Sequence, residues 1–96
     1  MSRRREFSFQ LFVAGDAPNS TMAIANLAAF CKAHLPDRYA IEIVDVFREP
    51  KRALAEGIFM TPTLIILTPP PVRKIVGTLS HTQTVLLALG VEPPVK

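Results

Sequence analysis

Ninety-six residues, 49% of them apolar, suffice for one small hydrophobic core and exclude an intrinsically disordered chain. One cysteine excludes an internal disulfide, and no apolar stretch approaches the roughly 20 residues that span a bilayer. Eleven basic residues face eight acidic ones, and Arg3, Arg4 and Arg5 make up that excess, so the net charge of +3 belongs to an N-terminal arm.

An arm without a basic face, and aromatics held inside apolar runs, do not describe a nucleic-acid binder. The arginines followed by an apolar run resemble a signal peptide only superficially, because Ser8 and Gln10 interrupt the run. The reading is therefore a cytoplasmic chain with no membrane partner. It forms a single domain over residues 1–96, with a basic arm at 1–6 and a short tail at 91–96.

Phe7, Phe9, Leu11 and Val13 alternate with other residues, which predicts a strand over 7–14 that is buried on both faces toward its end. Gly15 to Asn19 reads as a loop, with Asp16, Pro18 and Asn19 as turn formers. Asn19 or Ser20 is then expected to cap a helix to about Leu35, its apolar stripe being Ile24, Leu27, Ala28, Cys31 and Leu35. Residues 40–46 form a second strand, parallel to the first through a right-handed crossover. Pro50 opens a short helix that stops near Gly57. Thr63 to Thr68 is β-branched and apolar, hence a strand, and Pro69, Pro70 and Pro71 end it. Val72 to Val76 makes a fourth strand. Ser80 and Gln83 are placed for a capping box, and Gly90 for a left-handed cap at the end of the final helix. The order βαβαββα, with a parallel first half and an antiparallel second half, is α/β and thioredoxin-like. Met60-Thr61-Pro62-Thr63 before a strand supports it, with Pro62 in the place of that fold's usual cis proline.

The redox chemistry of such a fold is missing. A reactive thiol would sit between the first strand and the first helix, where a helix N-terminus favours the thiolate. The segment Gly15 to Ser20 has no cysteine, and Cys31 lies on the apolar stripe, where it should be an inert small hydrophobe. Ser20 has no base in reach by sequence, two lone histidines (His34 and His81) make no metal site, and no glycine-rich phosphate loop is present. Asp45 and Glu49 read as a cap and a helix-start charge. No catalytic set, metal site or cofactor is expected.

Four segments, LFVAGDAPNS (Leu11 to Ser20), VDVFREP (Val44 to Pro50), MTPTL (Met60 to Leu64) and PPPVRKIVGTLS (Pro69 to Ser80), resemble the circadian clock KaiB family in order and spacing over nearly the whole chain. The resemblance implies a regulatory binding module, not an enzyme, which docks on the ring-shaped ATPase KaiC and modulates its phosphorylation cycle, in circadian timing or stress adaptation. It implies a second packing of the later half, βαββααβ, in a resting dimer or tetramer. The sequence leans toward the thioredoxin-like packing, with a helix and not a strand over 82–88. Family members commonly carry bases at the positions of Gln10, Met22 and Glu42 and an acid at that of Thr78, and the cyanobacterial acidic tail is absent. A paralogue or a non-cyanobacterial member is implied, with a KaiC-like ATPase as partner and KaiA binding doubtful. The partner-binding residues carried over are Asp16, Pro18, Asn19, Tyr39, Ala40, Glu42, Arg73 and Lys74. The competing readings are an adaptor acting on a sensor histidine kinase without KaiC, and a thiol redox protein.

Overall fold

In a computed structural model, residues 6–90 are described, and they form seven elements. These are β1 (Phe7–Val13), α1 (Pro18–His34), β2 (Tyr39–Asp45), α2 (Pro50–Ala55), β3 (Thr63–Thr68), β4 (Arg73–Val76) and α3 (Thr82–Leu89). The arm before Glu6 and the tail 91–96 lie outside the described residues. One sheet has the order β2-β1-β3-β4. β2 runs parallel to β1, from Phe7 beside Tyr39 to Val13 beside Asp45. β3 is antiparallel to β1, and β4 is antiparallel to β3. The chain has the mixed α/β, thioredoxin-like fold, and residues 82–89 are helical.

The pleat of β1 divides the core. Phe7, Phe9, Leu11 and Val13, with Leu64 and Ile66, pack against Leu27, Phe30 and Cys31 of α1 and against Val85, Leu86 and Leu89 of α3. Phe12, on the opposite side of the same strand, packs with Val44, Ile65 and Ala53 of α2. Two helices cover one face and a six-residue helix covers only part of the other. A buried side chain of this size contributes about 1.5–3 kcal/mol, so the first face carries most of the stabilisation.

Both helix starts differ from the sequence reading. α1 begins at Pro18, whose fixed φ and missing N–H suit the first helical turn, and Ala17 stands at the cap with no side-chain hydrogen bond. Ser20 is two residues inside the helix and buried, and its Oγ accepts the Ala14 N–H at 3.0 Å. The buried stripe is Ser20, Ala23, Leu27, Phe30 and Cys31, while Ile24 and Ala28 face outward. Both stripes obey helical spacing; the Phe30 ring fills more of the core than Ala28 could, and it sets the rotation.

The expected capping box of Ser80 and Gln83 is not formed. His81 is the cap residue of α3 and makes no side-chain cap bond. Ser80 Oγ instead accepts the Thr78 hydroxyl at 3.2 Å, and Gln83 is exposed. Leu79 explains the shift: it takes a left-handed φ of 64° and packs against the main core, which moves Ser80 out of the cap position. Gly90 ends α3 with φ 75°, a conformation that costs glycine nothing. The Thr61–Pro62, Thr68–Pro69 and Pro70–Pro71 peptides are cis.

Candidate functional site

β1 and β2, being parallel, end at the same side of the sheet. Asp45 closes that end: its Oδ1 accepts the Gly15 N–H at 3.2 Å and the Phe47 N–H at 2.9 Å. Its carboxylate is thus a structural clasp between two loops, with no acid–base partner. Gly15 has φ 54°, and the Phe47 ring lies 3.5 Å from where a Cβ would stand. Glycine is favoured there by the left-handed backbone, while the Phe47 ring stands at ordinary contact distance.

Phe47 is 73% exposed, Phe59 91%, Met60 63% and Leu54 77%. Phe47, Phe59 and Met60 line a shallow groove with Ala14, Val46 and Ile58. Asp16, Pro18 and Asn19 are exposed on the adjoining loop and helix start. Lys74 Nζ donates to the Glu56 carbonyl at 2.6 Å, just before the Gly57–Phe59 segment. Large apolar side chains left this open on a small chain are surface of the kind a partner covers.

The thiol chemistry is elsewhere and suppressed. Cys31 is fully buried on α1, and burial pushes its thiol up to about 12. No thiolate is available at neutral pH. Among the described residues no three His, Cys, Asp or Glu side chains gather where they could hold a metal. His34 packs against Phe30 in a tilted arrangement, with ring centroids 4.8 Å apart. This end of the sheet offers contact area and hydrogen-bonding backbone, and no activated nucleophile.

The carried-over residues do not form one cluster. Asp16, Pro18 and Asn19 share the apolar end, whereas Lys74 starts level with Gln10 and Glu42 and only its Nζ reaches toward that end, at the Glu56 carbonyl. Tyr39 and Ala40 begin β2 and so stand at the opposite end of the sheet, roughly 20 Å away at the usual strand rise. Arg73 and Lys74 are consecutive on β4 and therefore project to opposite faces. Arg73 is partly buried, its Nη2 3.4 Å from the Pro69 carbonyl.

Glu42 lies midway and is already engaged. Arg52 of α2 donates to both its oxygens, at 2.7 and 2.9 Å, and Gln10 donates to Oε1 at 3.1 Å. Arg52 also reaches Glu49 at 3.3 Å. The Arg52 hydrogen bonds, then that of Gln10, hold the Glu42 carboxyl down at about 2. Gln10 and Glu42 are register partners across β1 and β2. Gln10 and Glu42 are therefore joined with Arg52 into an internal clasp that ties β1 and β2 to α2.

Phe47, Leu54, Phe59 and Met60 were not among the partner-binding residues expected from sequence. Apolar residues default to the core when read along a chain. The available signal was position: Phe47 follows Asp45 outside any periodic run, and Phe59 and Met60 stand between Gly57 and Pro62.

Comparison with known proteins gives this geometry a family. The KaiB domain model matches residues 10–91. The chain belongs to the KaiB family. It is 44% identical over 84 residues to the circadian clock protein KaiB3 of Synechocystis sp., covering 88% of this chain and 82% of that one. It is 40% identical over 89 residues to the circadian clock oscillator protein KaiB of Prochlorococcus marinus, covering 93% and 75%. The identity to KaiB3 fits a KaiB paralogue. In fold, the chain matches the N-terminal domain of Synechococcus elongatus SasA with a TM-score of 0.74 at 17% identity, over 92% of this chain and 83% of that one. It matches the Drosophila thioredoxin Deadhead with a TM-score of 0.71 at 13% identity, over 88% and 80%. Within the KaiB family, then, this chain carries the thioredoxin-like arrangement with an apolar surface at the end where a redox thiol would be expected.

Proposed function

We propose that this KaiB-family chain is a non-catalytic clock-type regulatory module that docks on a KaiC-like hexameric ATPase and modulates its cycle. The observation that carries this reading is the apolar end formed by Phe47, Phe59 and Met60 beside Asp16, Pro18 and Asn19. It supplies buried area for a partner and no reacting group. Tyr39, Ala40 and Arg73 stand apart from it and contribute only to a partner that wraps the sheet. Glu42 is already engaged by Arg52.

Size-exclusion chromatography with light scattering, of the chain alone and with the host's KaiC-like ATPase and ATP, tests the reading and reports any resting dimer or tetramer. Co-elution is expected. Phe59→Ala is expected to weaken it about tenfold or more, as loss of an aromatic anchor does, with unchanged thermal stability. Failure to co-elute with any KaiC-type ring of the host, while a sensor histidine kinase is captured, would replace this function by the adaptor reading.

A further inference from the structure

The main chain beside the apolar groove is only partly satisfied. Between the end of α2 and the start of β3, the Ile58 N–H donates to the Ala53 carbonyl at 2.9 Å, and the Met60 carbonyl accepts the Thr63 hydroxyl. The Pro62 carbonyl accepts the Gly77 N–H at 2.9 Å. Among the described residues, nothing pairs with either main-chain group of Phe59 or of Thr61, or with the Met60 N–H. The loop after β1 is different. There the Ala14 N–H donates to Ser20 Oγ, the Ala14 carbonyl accepts the Ala17 N–H, and the Gly15 N–H donates to Asp45. In the free chain water serves Phe59–Thr61, since Phe59 and Met60 are exposed and Thr61 is half-buried.

Docking changes that balance. A partner that covers Phe47, Phe59 and Met60 also takes water from the main chain between them, and a buried N–H or C=O left unpaired is costly. The partner must therefore bring hydrogen-bonding groups as well as apolar area. A docked helix brings few, because its main chain bonds to itself. An extended segment brings both kinds. One of its residues, lying antiparallel, exchanges N–H and C=O with Thr61 in a single pair, while alternate side chains enter the groove. Charge narrows the segment further. Arg48 directly follows Phe47, and Lys51 stands one turn before Leu54 on α2; both are exposed, with no ion pair among the described residues. Lys74 Nζ adds a third base at the Glu56 carbonyl. Glu49 is held by Arg52, and Asp45 by two main-chain N–H groups, which leaves Asp16 and Glu56 as the acids nearby. An acidic residue beside the apolar ones of the segment meets Arg48 and Lys51.

We infer that the apolar end takes its protein partner as an extended segment, apolar at alternate positions and acidic toward Arg48 and Lys51, paired through its main chain with Thr61. This mode rests on the docking role proposed above for the same end, and adds the chemistry by which that end recognises a partner.

Fluorescence anisotropy tests it on the full chain. The probe is a short labelled peptide of alternating leucine and threonine that ends in glutamates. Two further peptides carry methyl groups on the leucine nitrogens or on the threonine nitrogens, which blocks one main-chain edge and leaves every side chain in place. Saturable binding of the parent is expected, with a loss of about fivefold or more for one methylated peptide and none for the other. Phe59→Ala should weaken the parent about tenfold, and Arg48→Gln with Lys51→Gln should weaken it several-fold and flatten its salt dependence, with circular dichroism unchanged in both variants. The inference is overturned if the parent does not bind, if both methylated peptides bind like the parent, or if phosphatidylserine-containing vesicles bind more tightly than the peptide. A dimer in light scattering that Phe59→Ala dissolves overturns it too, since a second copy is then the occupant. The two readings fail separately: co-elution with an ATPase ring survives the loss of this mode, and edge-selective peptide binding survives the absence of a ring.

Discussion

Phe9 is 1% exposed and Phe59 91%, although each is a phenylalanine in an apolar stretch. Phe9 sits on an alternating strand and packs inside the main core, so removing it leaves a cavity costing about 3–5 kcal/mol. Phe59 touches little, so its loss should leave folding alone and show only in binding. Ser20 carries the opposite lesson. A hydroxyl usually read as a helix cap is the acceptor for the Ala14 N–H at the end of β1. Ser20→Ala orphans that donor in a partly buried setting and should cost about 1 kcal/mol. A shift in the urea midpoint without a change in slope checks this; no shift would mean that water reaches Ala14.

At the level of elements, α2 is held by little hydrophobic area and by one polar clasp. Ala53 is its buried residue, and Arg52 ties it to Glu42 on β2. The Glu42 carboxyl titrates at about 2 against an ordinary 4.5. A depressed folded value means that the clasp contributes fully above about 4.5 and is lost as pH falls toward 2. The pair is substantially exposed to water, which keeps the effect small and sensitive to salt. The melting-temperature difference between the wild type and Glu42→Gln should therefore be present at neutral pH, shrink between those two values, and diminish at high ionic strength. A difference independent of pH would show that the clasp does not depend on charge.

At the level of the molecule, Cys31 reports on the whole core. It belongs to the cluster shared by β1, β3, α1 and α3, so no loop movement uncovers it. Its alkylation should be as slow as opening of that cluster and should accelerate with denaturant in step with global unfolding. Fast labelling of the native chain would place the thiol at a locally opening site instead.

Much of this architecture was readable along the chain. Period-two and helical spacing, with Pro and Gly as punctuation, suffice for seven elements and their order, because these signals act between residues close in sequence. The βαβ handedness then makes the first two strands parallel. Cys31 was legible as buried and unreactive for the same reason. The rotation of α1, the displaced cap before α3 and the exposed Phe47, Phe59 and Met60 were not legible. Each depends on which of two locally acceptable arrangements packs against residues 30 or more positions away. Local propensity scores those arrangements equally, and only the closed core separates them. The union of Gln10, Glu42 and Arg52 into one clasp likewise arises from strand order. Charge on a sequence is a list, and the sheet decides which charges are neighbours.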